Sequence, residues 1–169
     1  MLARFMSAIL ATLLLATPVR AQFDERVLFQ QGAWHVSYVR NTVTGQDWCE
    51  AATVNANGTS FDITLFGDGA AAMFIIDADW DFGGHMYFPL YVDIDRSRWT
   101  VDATAGRNAI SFYFGEYEAT RRFLRELQAG NAVAVYEEGG SGRSFARFSL
   151  SGSRNAIDAV FECWSIITY

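Results

Sequence analysis

The stretch Leu90-Tyr91-Val92-Asp93-Ile94-Asp95-Arg96-Ser97-Arg98-Trp99-Thr100-Val101-Asp102-Ala103 decides the fold class. Apolar side chains occupy every second position on both sides of the polar interruption Asp95-Arg96-Ser97-Arg98. A period of two puts Leu90, Val92 and Ile94 on one face of a strand and Tyr91 and Asp93 on the other. The interruption is far shorter than the crossover of about a dozen residues that parallel strands need, so the two runs predict antiparallel neighbours. Working outward, Trp34-Val36-Tyr38, Phe61-Ile63-Leu65 and Ile110-Phe112-Phe114 repeat the alternation, with Asp62 or Ser111 on the wet face. Turn residues separate the runs: Asn55-Ala56-Asn57-Gly58, Gly67-Asp68-Gly69, Asp81-Phe82-Gly83-Gly84 and Ala105-Gly106-Arg107-Asn108. The first part of the chain therefore predicts an antiparallel meander.

The period changes at Glu116. Over residues 116–129, Phe123, Leu124 and Leu127 follow helical spacing, and Glu116 and Glu118 suit a helix amino end. Gly130 is expected to supply a left-handed stop. Residues 132–136 and 144–150 predict a hairpin around Gly139-Gly140-Ser141-Gly142. Ser153 is expected to cap a closing helix whose Ile157, Val160, Phe161 and Trp164 share a face. The expected fold is mainly β, a β-rich α+β domain: an antiparallel sheet curled into a sandwich or incomplete barrel, with two short helices over an edge or open end. Alternation serves both forms of sheet equally.

The amino end predicts export. Arg4, the apolar run of residues 5–16, Pro18 and the exit Val19-Arg20-Ala21 have the order of a secretory leader, and a run of that length is too short to span a bilayer. Cleavage is expected before Gln22, leaving about 148 residues, enough for one core. Residue 22 is not the Cys of a lipid anchor, and no later stretch has spanning length, so a periplasmic or secreted form with no transmembrane segment is expected. In an oxidising compartment the two cysteines, Cys49 and Cys163, are expected to pair. Asn57-Gly58-Thr59 fits a glycosylation sequon, but Asn-Gly between strands is read as a tight turn.

Charge narrows the partners. The chain carries 13 basic and 19 acidic residues, a net charge of −6, and has no lysine at all. Nucleic acid and anionic lipid select basic patches, so both are excluded as expected partners.

The stretch from Phe123 to Trp164, with "LQAGNAVAVY" (residues 127–136) and "FARFSLSGSRNAIDAVFECW" (residues 145–164), carries a resemblance. A helix and hairpin lead to Phe148, Leu150 and Gly152 and then to a helix opening with small residues. This end of the chain resembles small exported bacterial proteins of the invasion-associated locus B kind. The resemblance covers about a quarter of the chain and carries no catalytic residue. It implies a periplasmic or secreted β-rich accessory protein.

Few constellations promise chemistry. Asp77, Asp79 and Asp81 alternate before Gly83-Gly84. On an extended segment they would point one way, either as a Ca²⁺ site or as the wet face of a strand backed by Ile76, Ala78, Trp80 and Phe82. The latter is preferred, because an EF-hand loop counted from Asp77 would need Gly and Glu where Phe82 and Phe88 stand. His35 and His85 do not make a zinc motif, and neither a nucleophile elbow nor a phosphate-binding glycine loop occurs. Tyr87, Tyr91, Asp93 and Asp95 are expected on one outward face, an amphipathic surface suited to a protein or glycan.

The function expected from these features is a non-enzymatic accessory or protein-binding module of the bacterial envelope, with a basic envelope protein or a glycan as partner and no required cofactor. The alternative is a calcium-dependent or carboxylate-based cell-wall glycan hydrolase, since among so many acids some close pair is inevitable.

Overall fold

The alternating runs around Val36, Ile63, Val92, Val101 and Phe112 form strands, and their apolar faces are the buried ones. The computed structural model describes residues 22–137 and 144–168. The leader expected at residues 1–21 and the turn expected at Gly139-Gly140-Ser141-Gly142 lie outside the described residues. The strands are β1 (Phe23–Gln31), β2 (Trp34–Asn41), β3 (Asp47–Val54), β4 (Ser60–Phe66), β5 (Ala71–Ile76), β6 (Met86–Ile94), β7 (Ser97–Gly106), β8 (Ala109–Phe114), β9 (Ala132–Glu137) and β10 (Ala146–Ser149). Two helices, α1 (Tyr117–Ala129) and α2 (Ser153–Ile167), follow β8 and β10. The Asn55–Gly58 segment is the expected tight turn, with the Gly58 N–H donating to the Asn55 carbonyl at 3.1 Å and Gly58 at φ 88°.

All ten strands belong to one antiparallel sheet of order β1-β2-β3-β4-β5-β8-β7-β6-β9-β10. The meander holds only through β5. The chain then crosses the positions of β8 and β7 to lay down β6, and β7 and β8 fold back until β8 pairs with β5, a Greek-key arrangement. The reason lies in residues 77–85, where alternation predicts strand and the structure has a loop. Asp77 Oδ1 accepts the Asp79 N–H at 2.9 Å and Asp81 Oδ1 accepts the Gly83 N–H at 2.9 Å. These Asx turns end the extended backbone. The loop is tied across the β7–β8 turn by Asp77 N–H to Asn108 O (3.0 Å) and Phe82 N–H to Arg107 O (2.7 Å).

The sheet is folded over itself but not closed. Phe61 on β4 and Phe148 on β10 have ring centroids 5.5 Å apart, although six strand spacings separate them in the sheet, roughly 29 Å if it were flat. The two ends, β1 and β10, do not pair, so the architecture is an open sandwich-like sheet rather than a barrel. One core fills the fold. It joins Trp34, Phe61, Ile63 and Leu65 from one limb to Leu90, Phe112, Val135 and Phe148 from the other.

Both helices face this core. Phe123 of α1 packs edge-on against Trp99 (5.4 Å) and Phe112 (6.1 Å). The α2 helix lies over β1 to β4 and is bonded to β3 by the Cys49–Cys163 disulfide.

Two helix ends differ from expectation. Gly130 is not left-handed, with φ −82° and ψ 172°. It is required for space: a Cβ there would lie 2.9 Å from both Ile94 Cγ2 and Leu150 Cδ1. Ser153 is the first helical residue, and Gly152, at φ 92°, is the cap position. The Ser153 hydroxyl instead donates to Leu127 O at 2.9 Å, satisfying a carbonyl in the last turn of α1.

Candidate functional site

The surface expected from sequence is partly assembled. Tyr87, Tyr91 and Asp93 do face outward from β6, and Tyr87 is 83% exposed. Arg98 sits between two of them: its Nε and Nη2 donate to the two Asp93 oxygens, both at 2.7 Å, and its guanidinium lies 4.6 Å from the Tyr91 ring centroid. Tyr87 stands four residues up the strand, roughly 13 Å from Tyr91. Asp95 does not join them. It sits in the β6–β7 turn at φ 49°, and its carboxylate accepts the Asn131 N–H (3.0 Å), Asn131 Nδ2 (2.9 Å) and the Ala132 N–H (3.1 Å). The Asn131 backbone and side-chain donors hold Asp95 below the usual carboxylate range.

The acids of the 77–85 loop do not converge. Asp77 accepts the Thr59 hydroxyl at 2.7 Å, which with the Asp79 N–H lowers its pKa, while Asp81 closes its own turn. Among the described residues no group of three or more His, Cys, Asp or Glu side chains is placed to hold a metal ion.

A more distinctive arrangement lies on the outer face of β3, β4 and β5. Because Cys49, Ala51, Phe61, Ile63, Leu65, Met73 and Ile75 turn inward, their neighbours Trp48, Glu50, Asp62, Thr64, Phe66, Phe74 and Ile76 turn outward. These residues, with Asn41 and Gln46, line a hollow of about 530 Å³. Register places the acids close. Glu50 is paired with Thr64, and Ala52 with Asp62, so Glu50 and Asp62 are diagonal neighbours on adjacent strands. Phe74 stands directly across from Asp62.

Burial governs both carboxyls. It raises Asp62 to about 6, with the Glu50 charge adding to the effect, while a hydrogen bond from Ser60 and the neighbouring His35 oppose it. Burial also raises Glu50, reinforced by Glu25 and opposed by the Trp48 side-chain hydrogen bond and by His35. Glu25 itself accepts the Ser37 hydroxyl at 2.7 Å on the same face. Phe23 extends the aromatic rim, its ring 5.7 Å from that of Trp48. Among the described residues neither Glu50 nor Asp62 is in an ion pair. The result is an acid pair set in an aromatic hollow, with its negative charge uncompensated by any arginine. Such a place rewards a ligand that brings a positive charge and a flat or aliphatic body.

Sequence reasoning placed Asp62 on a wet strand face and passed over Glu50. The usable signal was an acid at an outward position in the middle of two aromatic-flanked strands, DWCEAATV and SFDITLF. What concentrates the two acids is cross-strand register, which periodicity within a strand does not reveal.

No helix among the described residues is long and apolar enough to cross a membrane. Compared with known proteins, the chain matches no family model, no curated protein and no solved structure.

Proposed function

We propose that this chain is an exported, non-enzymatic binding module of the bacterial envelope, periplasmic or secreted, whose partner is a basic protein engaged on the outer face of β3 to β5. The observation that carries the proposal is the pairing of Glu50 and Asp62 in the aromatic hollow, with both carboxyls pushed toward their neutral forms by burial. An entering lysine or arginine would gain two charge-assisted hydrogen bonds and stack its stem on Trp48 or Phe74. The net charge of −6 favours the approach of such a partner. The leader-like amino end, the Cys49–Cys163 bridge and the locus B resemblance of the carboxyl end support the compartment.

The test is calorimetric titration against a basic lysozyme-type envelope protein at low salt. The parent chain is expected to bind, and Glu50→Gln with Asp62→Asn to weaken binding by about 10-fold or more. Absence of binding by the parent, or equal binding by the double variant, would overturn the proposal.

A second function, a carboxylate-based cell-wall glycan hydrolase, is favoured by one observation, the Asp62 value near 6 beside a second acid. A carboxyl so placed keeps a protonated fraction toward neutral pH that an ordinary aspartate does not, and that form can serve as general acid. Release of soluble sugar from cell-wall material by the parent, and not by Asp62→Asn, would establish it; no release by the parent would dismiss it.

A further inference from the structure

The arginines of α1 share a hollow with Glu116 and Glu118 without closing an ion pair on them among the described residues. Arg121, Arg122 and Arg125 form no ion pair among the described residues. Each lies on an aromatic ring instead: Arg121 is 5.5 Å from the Tyr117 centroid, Arg122 is 4.3 Å from that of Trp99, and Arg125 is 4.7 Å from that of Phe161. Two of them, Arg121 and Arg125, are one helical turn apart and share a face. They look into a cleft of about 250 Å³ between α1 and α2, whose wall is built from Tyr117, Phe161 and Trp164. The rings stack on one another and leave Trp164 buried, 2% exposed, behind the half-exposed Tyr117. Tyr117 and Trp164 have centroids 4.9 Å apart with planes 34° from parallel, and Phe161 and Trp164 are 6.2 Å apart at 26°. Trp164 is held in place by its Nε1–H, which donates to Phe66 O at 2.7 Å.

We propose that this cleft is a binding site for a small single-ring aromatic anion, its carboxylate or phosphate held between Arg121 and Arg125 and its ring laid against the exposed Tyr117, beside the buried Trp164. The volume corresponds to about eight waters, the scale of one substituted ring and smaller than a glycan chain or a folded partner. Guanidinium donors suit a planar oxyanion, and Arg125 has donors to spare beyond the one given to Gln128 Oε1 at 2.7 Å. The rings supply the apolar half of the recognition. No residue lines both this cleft and the hollow on β3 to β5, so the site stands independently of the function proposed above.

The experiment is a titration of the isotopically labelled chain with phenylacetate, following the Trp164 indole N–H by NMR. Parallel titrations use acetate, phenyl phosphate, 2-phenylethanol and phenethylamine. Phenylacetate or phenyl phosphate is expected to shift the Trp164 signal saturably, and acetate, the neutral alcohol and the amine to bind at least about 5-fold more weakly. Arg121→Gln and Arg125→Gln should each weaken the aromatic anion by about 5-fold or more, while Arg122→Gln, whose guanidinium rests on Trp99 outside the cleft, should leave it unchanged. Failure of both aromatic anions to move Trp164 up to about 20 mM would overturn the proposal. Equal binding of the neutral alcohol, or indifference to loss of both Arg121 and Arg125, would do the same.

Discussion

Cys49 on β3 and Cys163 on α2, 114 residues apart in the chain, are joined by a disulfide with Cα atoms 6.0 Å apart. The bond anchors the last helix to the third strand. On the chain-entropy account, closing a loop of that length removes freedom from the unfolded chain worth roughly 4–5 kcal/mol. The variant Cys49→Ala with Cys163→Ala should therefore lose roughly that much stability in urea unfolding, read as a lower midpoint. A midpoint within error of the parent would show that the bridge does not staple the fold.

Asp62 makes the stability depend on pH in an unusual direction. A carboxyl whose folded value lies above its unfolded value binds protons more tightly in the folded chain. Its contribution is fully present below about pH 4 and is lost as pH rises through about 6. At pH 7.5, Asp62→Asn should raise the unfolding free energy by about 1–3 kcal/mol, and at pH 4 the gain should vanish. Paired urea titrations at the two pH values measure this. An equal effect at both would mean that Asp62 is not desolvated.

Gly130 is required by crowding rather than by backbone conformation. A Cβ at this position would meet Ile94, Leu150 and the Glu126 carbonyl at 2.9, 2.9 and 3.1 Å. Gly130→Ala should cost about 1–3 kcal/mol in thermal or urea unfolding, despite the alanine being acceptable at φ −82°. A neutral substitution would show that the end of α1 tolerates being pushed away from Ile94 of β6 and from Leu150.

Ser153 joins the two helices through a buried hydrogen bond to Leu127 O. Ser153→Ala leaves that carbonyl in the last turn of α1 without its donor and should cost about 1–2 kcal/mol. Ser153→Gly, if the residue acted as a helix cap, would be milder than alanine; here it should be at least as damaging.

These positions also show how far periodicity reaches. The alternating runs around Phe61, Leu90, Trp99 and Ile110 became strands with the expected faces inward, because period two and short turns are local properties of the chain. The disulfide was legible from cysteine count and the leader-like amino end. The run from Ile76 to Phe82 alternates equally well yet forms a loop, because Asp77 and Asp81 each turn back on a nearby N–H. Strand β1 escaped notice, since its burial is slight throughout and a bulge between Val27 and Phe29 switches which face its apolar residues occupy. The pairing of Asp95 with Asn131 and of Glu50 with Asp62 depends on contacts between segments distant in sequence or on register. Both were invisible until the strands were assembled.

Under the proposed function, the hollow around Glu50 and Asp62 receives a positive charge. The most direct test of this is the titration of the Asp62 side-chain carboxyl by carbon-detected NMR, first in the free chain and then with a saturating arginine- and lysine-rich peptide. The free carboxyl is expected to titrate near 6, and the bound one distinctly lower, because a cation within hydrogen-bonding reach favours the ionised form. A free value near 3.8, or a midpoint that the peptide leaves where it was, would contradict the account.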